Sequence, residues 1–193
     1  MAVPALVQLA GGDYYDLTKS GKVFAVTTAA AGLALSISTS TTGFFALWNP
    51  AGSGVNVVPI RYELENVSGT GVLTSFGFLA LTPAGASIAT AAPVPTGTAI
   101  STAVNGFLGS SFGKPQAIVL SAFTLTAVGV HFRGIGIQQG TVATATNIYQ
   151  TPGMWMEFNG TCIMAPSTFL YPTGTAASVN LFYQTFIWAE IPI

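Results

Sequence analysis

The chain has 193 residues and a formal net charge of −1; its five bases and six acids make up 6% of the sequence, half of which is hydrophobic, and the mean hydropathy is +0.61. Charges this sparse and scattered supply neither the basic patch that a phosphate backbone requires nor an acidic tail, which argues against nucleic acid as a ligand. Thr, Ser and Gly interrupt every apolar run before it reaches eighteen residues, so no membrane-spanning helix is expected. What remains is one β-rich domain whose ion-poor exterior is covered by copies of itself or by a larger shell.

In chain order, Met1-Ala-Val-Pro-Ala-Leu-Val7 lacks the basic start and continuous apolar core of a secretion signal, so synthesis in a cytoplasm is expected. Residues 1–22 form a polar segment in which Asp13 and Asp16 lie near Lys19 and Lys22, a pattern of local ion pairs in water rather than an acid/base pair. Good helix formers are scarce, and period-two alternation dominates instead. Leu33, Leu35 and Ile37 alternate with Ala34, Ser36 and Ser38, and the aromatic run Phe44-Phe45-Ala46-Leu47-Trp48 follows. Asn49-Pro-Ala-Gly-Ser-Gly54 is a dense turn signal, predicted to close a first hairpin.

Val58, Ile60, Tyr62 and Leu64 are expected on one face of the next strand, with Pro59, Arg61, Glu63 and Glu65 on the other; Pro59 argues for an edge or a bulge. Val72 to Thr82 reads as a strand covered on both faces, with Phe76 and Phe78 on one and Leu73, Leu79 and Leu81 on the other. Residues 83–116, rich in Pro, Ala and Gly, are expected to form a long surface loop or arm. Ala117–Thr126 and Val128–Ile137 look like a hairpin. Shorter strands are expected at 142–149, 154–158, 161–164 and 169–171. In the final strand Val179, Leu181, Tyr183, Thr185 and Ile187 alternate with Asn180, Phe182, Gln184, Phe186 and Trp188. Roughly eight to ten strands in one domain, 1–193, suggest an all-β, jelly-roll-like antiparallel β-sandwich.

The chemistry needed for catalysis is thin. One His and six carboxylates offer little from which to build a cleft, and the single Cys162 allows neither an intrachain disulfide nor a Cys/His zinc site. Glu63 and Glu65 share a strand face with Arg61, most simply as an exposed charged face, and His131 and Arg133 are expected to project together as a polar face. Gly134-Ile-Gly136 opens no helix after a strand and is not a phosphate loop. No catalytic, metal or cofactor residue is assigned, and the chain is not expected to be an enzyme. Asn66-Val-Ser68 and Asn159-Gly-Thr161 match the glycosylation triplet, by chance if no secretory route exists. The aromatics read as core and interface packing, with Phe182, Phe186, Trp188, Phe44 and Trp48 as candidate interface residues.

Leu47-Trp-Asn-Pro-Ala-Gly-Ser-Gly54, the following Val55-Asn-Val-Val58 and the ending Phe186-Ile-Trp-Ala-Glu-Ile-Pro192 resemble small virion structural proteins of tailed bacteriophages, above all head decoration or cement proteins. The resemblance is one of style over most of the length: scarce charge, Gly/Ala/Thr-rich strands, an aromatic-Asn-Pro-x-Gly-x-Gly turn and a terminal amphipathic strand. It implies a jelly-roll-like homo-oligomer, often a trimer, on the capsid exterior, where it bridges major capsid subunits. Segment 83–116 is less typical of a minimal sandwich and would be an embracing arm or an insertion. Two competing readings are a tail or receptor-binding sandwich that recognises a host-surface glycan, with Trp155 or Tyr149 in the site, and a trimeric host-cell coat domain similar in shape to tumour-necrosis-factor-like trimers.

Overall fold

The computed structural model describes residues 12–69, 76–81, 96–100, 102–109, 111–125, 128–135, 154–174 and 180–193. They are nearly all β. A short helix, α1 (Gly12–Lys19), leads into two sheets packed as a sandwich. The first sheet is antiparallel, in the order β11 (Met154–Glu157), β5 (Val55–Ser68), β13 (Leu181–Pro192), β1 (Val23–Thr27), β8 (Val104–Asn105). The second runs β10 (Val130–Ile135), β6 (Phe76–Leu81), β12 (Thr168–Gly174), β4 (Ala46–Asn49), β9 (Ile118–Thr124), β3 (Thr42–Gly43). Two further strands join it: β2 (Ser36–Ile37), parallel to β12, and β7 (Thr96–Ala99), antiparallel to β9.

Eight of these strands pair in a nested way. β1 pairs with β13, β4 with β12, β5 with β11 and β6 with β10, all antiparallel. The chain therefore doubles back between β6 and β10, and its second half runs alongside its first. Successive strands change sheet at β4–β5 and β5–β6, and again from β10 through β13. The expected hairpin at 49–54 is thus corrected: β4 and β5 belong to different sheets, and the turn carries the chain across the sandwich. Asn49 holds this crossing by donating from Nδ2 to the carbonyls of Val55 (2.9 Å) and Met164 (2.8 Å). Gly52 and Gly54 supply the positive φ angles the turn requires.

The expected hairpin of 117–126 with 128–137 is likewise replaced. β9 pairs with β4, β3 and β7, whereas β10 pairs with β6 at the far edge of the same sheet. Leu125, Val128 and Gly129 lie between them on the outer face of that sheet, against Leu79, Leu81 and Tyr171. Gly129 donates its backbone N–H to the Tyr171 hydroxyl (3.1 Å). Segment 83–116, expected as a long surface loop or arm, contains β7 and β8, which add one strand to each sheet; residues 82–95 lie outside the described residues. So does the strand expected at 142–149.

The interior is aromatic. Tyr62 stands at its centre, with ring centroids of Phe76, Phe78 and Phe186 at 5.5, 5.2 and 5.1 Å. Its hydroxyl is within 2.9 Å of Gln184 Oε1, and Gln184 Nε2 donates to the carbonyls of Leu33 and Ala34, so this buried polar pair is satisfied. Both faces of β6 are covered, as its pattern predicts: Phe76 and Phe78 join the interior, Leu79 and Leu81 the outer cluster.

Pro59 sits at a bulge, because a residue without an N–H cannot serve a central ladder. The bulge reverses the alternation of β5. Tyr62 and Leu64 point into the sandwich, while Val58 and Ile60, expected beside them, join an outer cluster with Val23, Ala189, Ile187 and Ile191. Helix α1, absent from the sequence reading, covers this cluster with Tyr14 and Leu17. It ends in a Schellman turn: the N–H of Lys22 donates to Leu17 O and that of Gly21 to Thr18 O, both at 2.9 Å, with Gly21 left-handed at φ 74°.

Candidate functional site

Helix α1 covers only part of the outer face of the five-stranded sheet. Beyond Ile187 that face turns polar, because β5, β11 and β13 send Arg61, Glu63, Glu65, Glu157, Thr185 and Tyr183 outward in register. Trp155 on β11 stands opposite Glu63, and Glu63 stands opposite Thr185 on β13; Tyr183 faces Glu65. Thr185 in turn faces Thr27 of β1, with the two hydroxyls 2.9 Å apart. This polar region borders an open cavity of ≈ 640 Å³, lined among others by Arg61, Glu63, Glu65, Trp155, Tyr183 and Thr185.

Arg61 organises its charge. Its Nε donates to Glu157 Oε1 at 2.6 Å, its Nη2 reaches the same oxygen, and its Nη1 lies 3.4 Å from Glu63 Oε1. These carboxylates, Glu157 foremost, raise the guanidinium pKa above its ordinary value against a smaller opposing effect of burial. The group is permanently charged and holds its partners in place. Glu65 is exposed. Among the described residues, no three His, Cys, Asp or Glu side chains converge as metal ligands, so the carboxylates of this face do not form a cation cage.

The candidate interface residues separate into two groups. Phe182, Phe186 and Trp188 are corrected to core residues: they occupy the inward positions of β13, where Phe186 stacks on Phe45 at 5.3 Å and Trp188 on Phe24 at 6.0 Å. Alternation located the apolar face of that strand, and the second sheet covers it. Phe44 remains exposed, and Trp48 is partly buried against the outer cluster of the second sheet.

His131 and Arg133 do not project together. A register shift at Phe132 pairs His131 with Leu79 and Arg133 with Phe78, residues of opposite faces. Arg133 reaches the backbone oxygen of Glu157 with Nη1 (3.4 Å). Cys162 is buried, and burial pushes its thiol pKa up to about 11, which suits a packed side chain and not a nucleophile. Tyr149 lies outside the described residues. Sequence reasoning missed Glu157 and the Trp155–Glu63–Thr185 row; their alternation is readable within each strand, but the pairing that joins them spans long sequence separations.

No protein-family model, curated protein or solved structure matches the chain.

Proposed function

We propose that the chain is a structural virion protein: a jelly-roll sandwich that self-associates, as a trimer on the resemblance noted above, and decorates a phage head by bridging major capsid subunits. The nested pairing of eight strands supports a jelly roll, a double-sheet architecture used by viral capsid domains. The observation that carries the functional reading is the apolar character of one end of the molecule. Val104, Phe107, Leu108 and Phe112 are exposed there, Leu108 to 78%, on a chain with very few charges. An exposed apolar patch on such a surface favours association. Bridging then works by multiplicity, since a modest footprint per subunit becomes tight when an oligomer engages several capsid sites at once.

The test has two parts. Sedimentation across a range of concentrations is expected to give a closed oligomer, and adding the protein to undecorated heads is expected to raise the temperature at which they rupture. A protein that stays monomeric at high concentration and leaves heads unprotected overturns the proposal.

A further inference from the structure

We propose that the open outer face of the five-stranded sheet binds a neutral, hydroxyl-rich saccharide, with Trp155 as the stacking platform and Glu63, Glu65 and Thr185 as hydrogen-bonding partners. This concerns a different surface from the apolar end, and it holds whether or not the chain sits on a capsid.

Trp155 carries the argument. It is 65% exposed on a strand whose neighbour Met156 is buried, whereas Trp188 is fully buried and Trp48 partly so. A large exposed indole beside a cavity is a flat apolar surface with an electron-rich face, suited to the C–H face of a sugar ring. The register sets polar groups in line with it. Trp155, Glu63, Thr185 and Thr27 form one row across four adjacent strands, a span of about 14 Å at ordinary strand spacing. That length accommodates more than one sugar ring. The volume of ≈ 640 Å³ also falls within the roughly 300–1,000 Å³ usual for small-ligand sites.

Charge narrows the ligand class. Of the charged side chains lining the cavity, one guanidinium, Arg61, accompanies two carboxylates, Glu63 and Glu65, and Glu157 pairs with Arg61 beside them, so the face is net negative. Such a face repels sialic and uronic acids. Carboxylates accept hydrogen bonds from sugar hydroxyls, and the Arg61 clamp on Glu157 and Glu63 fixes two of them before a ligand arrives. A neutral saccharide satisfies both the ring surface and the acceptors. A bare cation does not, since it leaves the indole unused and finds no converging ligand set.

The intact protein can be titrated with neutral gluco-, galacto-, manno- and N-acetylglucosamine oligosaccharides, with sialyl and uronic oligosaccharides in parallel, while indole fluorescence is followed. The expected result is a saturable change with at least one neutral series, weakened by about tenfold or more in Trp155→Ala and partly retained in Trp155→Phe. Glu65→Gln, on an exposed side chain, should weaken binding without altering the urea midpoint. Sedimentation of each variant should match the parent, which separates this outcome from that of the assembly reading. No binding by any neutral series, preference for the acidic sugars, or full binding by a folded Trp155→Ala protein overturns the proposal.

Discussion

Glu190 shows how a single buried charge can organise this chain. Its carboxylate accepts hydrogen bonds from the backbone N–H groups of Gln116 (2.9 Å) and Ala117 (2.8 Å) and from Trp188 Nε1 (3.2 Å). It therefore ties the entrance of β9 to the end of β13. Replacing it by Ala leaves three donors unpaired in a buried site, so Glu190→Ala is expected to lower stability by roughly 3 kcal/mol, measured as a shift in urea midpoint. None of this was legible in the sequence, where Glu190 is one acid in a terminal strand and its backbone partners lie more than seventy residues away. The alkaline behaviour of the protein follows from other buried groups, chiefly Cys162 and Tyr62, with the buried Tyr171 phenol raised in the same direction. Burial raises the Cys162 thiol from 9.0 to about 11 and raises the Tyr62 phenol well above 10.0. Both groups bind their protons more tightly in the folded chain. Stability from Cys162 is thus complete below pH 9 and lost as pH climbs towards 11, because the unfolded thiol ionises first; Tyr62 extends the loss above pH 10. Urea midpoints should fall across this range, and Cys162→Ala should flatten the portion between pH 9 and 11.

At the level of elements, local signals predicted where strands lie better than which strands they join. The turn at 49–54 was legible because Pro fixes one φ and the two glycines adopt positive φ, yet those residues specify a change of direction and no partner. Pairing across the sandwich is decided by burial of both sheets together, which a single strand's alternation does not encode. The alternation of β13 set Phe182, Gln184, Phe186 and Trp188 on one face, but it did not say that this face points inward, and its aromatics were assigned to an interface instead of the core that the second sheet covers. Helix α1 escaped because its eight residues carry weak helical propensity; its stability comes from Tyr14 and Leu17 lying on the apolar part of the first sheet. Gly21 anchors that arrangement. It closes the helix in a left-handed conformation, and a methyl group added there would meet the Phe112 ring. Its carbonyl also accepts from Asn105 Nδ2 (2.7 Å), and Asn105 Oδ1 receives the N–H of Phe107 (2.9 Å). Gly21→Ala is accordingly expected to cost about 1–2 kcal/mol from backbone strain alone. It should also loosen the 105–112 segment, detected as faster hydrogen exchange there than in β5 or β13.

Over the whole molecule, the scarce charge is unevenly spread. Among the described residues, Arg61, Glu63, Glu65 and Glu157 gather beside one cavity, while the opposite edge of the same sheet ends in β8 and the apolar residues Phe107, Leu108 and Phe112, where Lys22 and Lys114 are the neighbouring charges and no carboxylate pairs with them. Phe107 and Phe112 hold each other at 6.0 Å, and Leu108 stands out between them with most of its surface in water. If self-association removes this end from water, its strength must depend on apolar area and little on ion pairs. It should then resist added sodium chloride and strengthen in sulfate, which favours burial. Leu108→Glu places a charge where the contact would be desolvated. Because Leu108 contributes little to the interior, the urea midpoint of the isolated chain should stay within about 0.5 kcal/mol of the parent, while the oligomer seen by sedimentation should dissociate at concentrations where the parent remains assembled. An unchanged sedimentation profile in a normally folded Leu108→Glu protein would place the contact elsewhere, with exposed Phe44 on the other sheet the next position to alter.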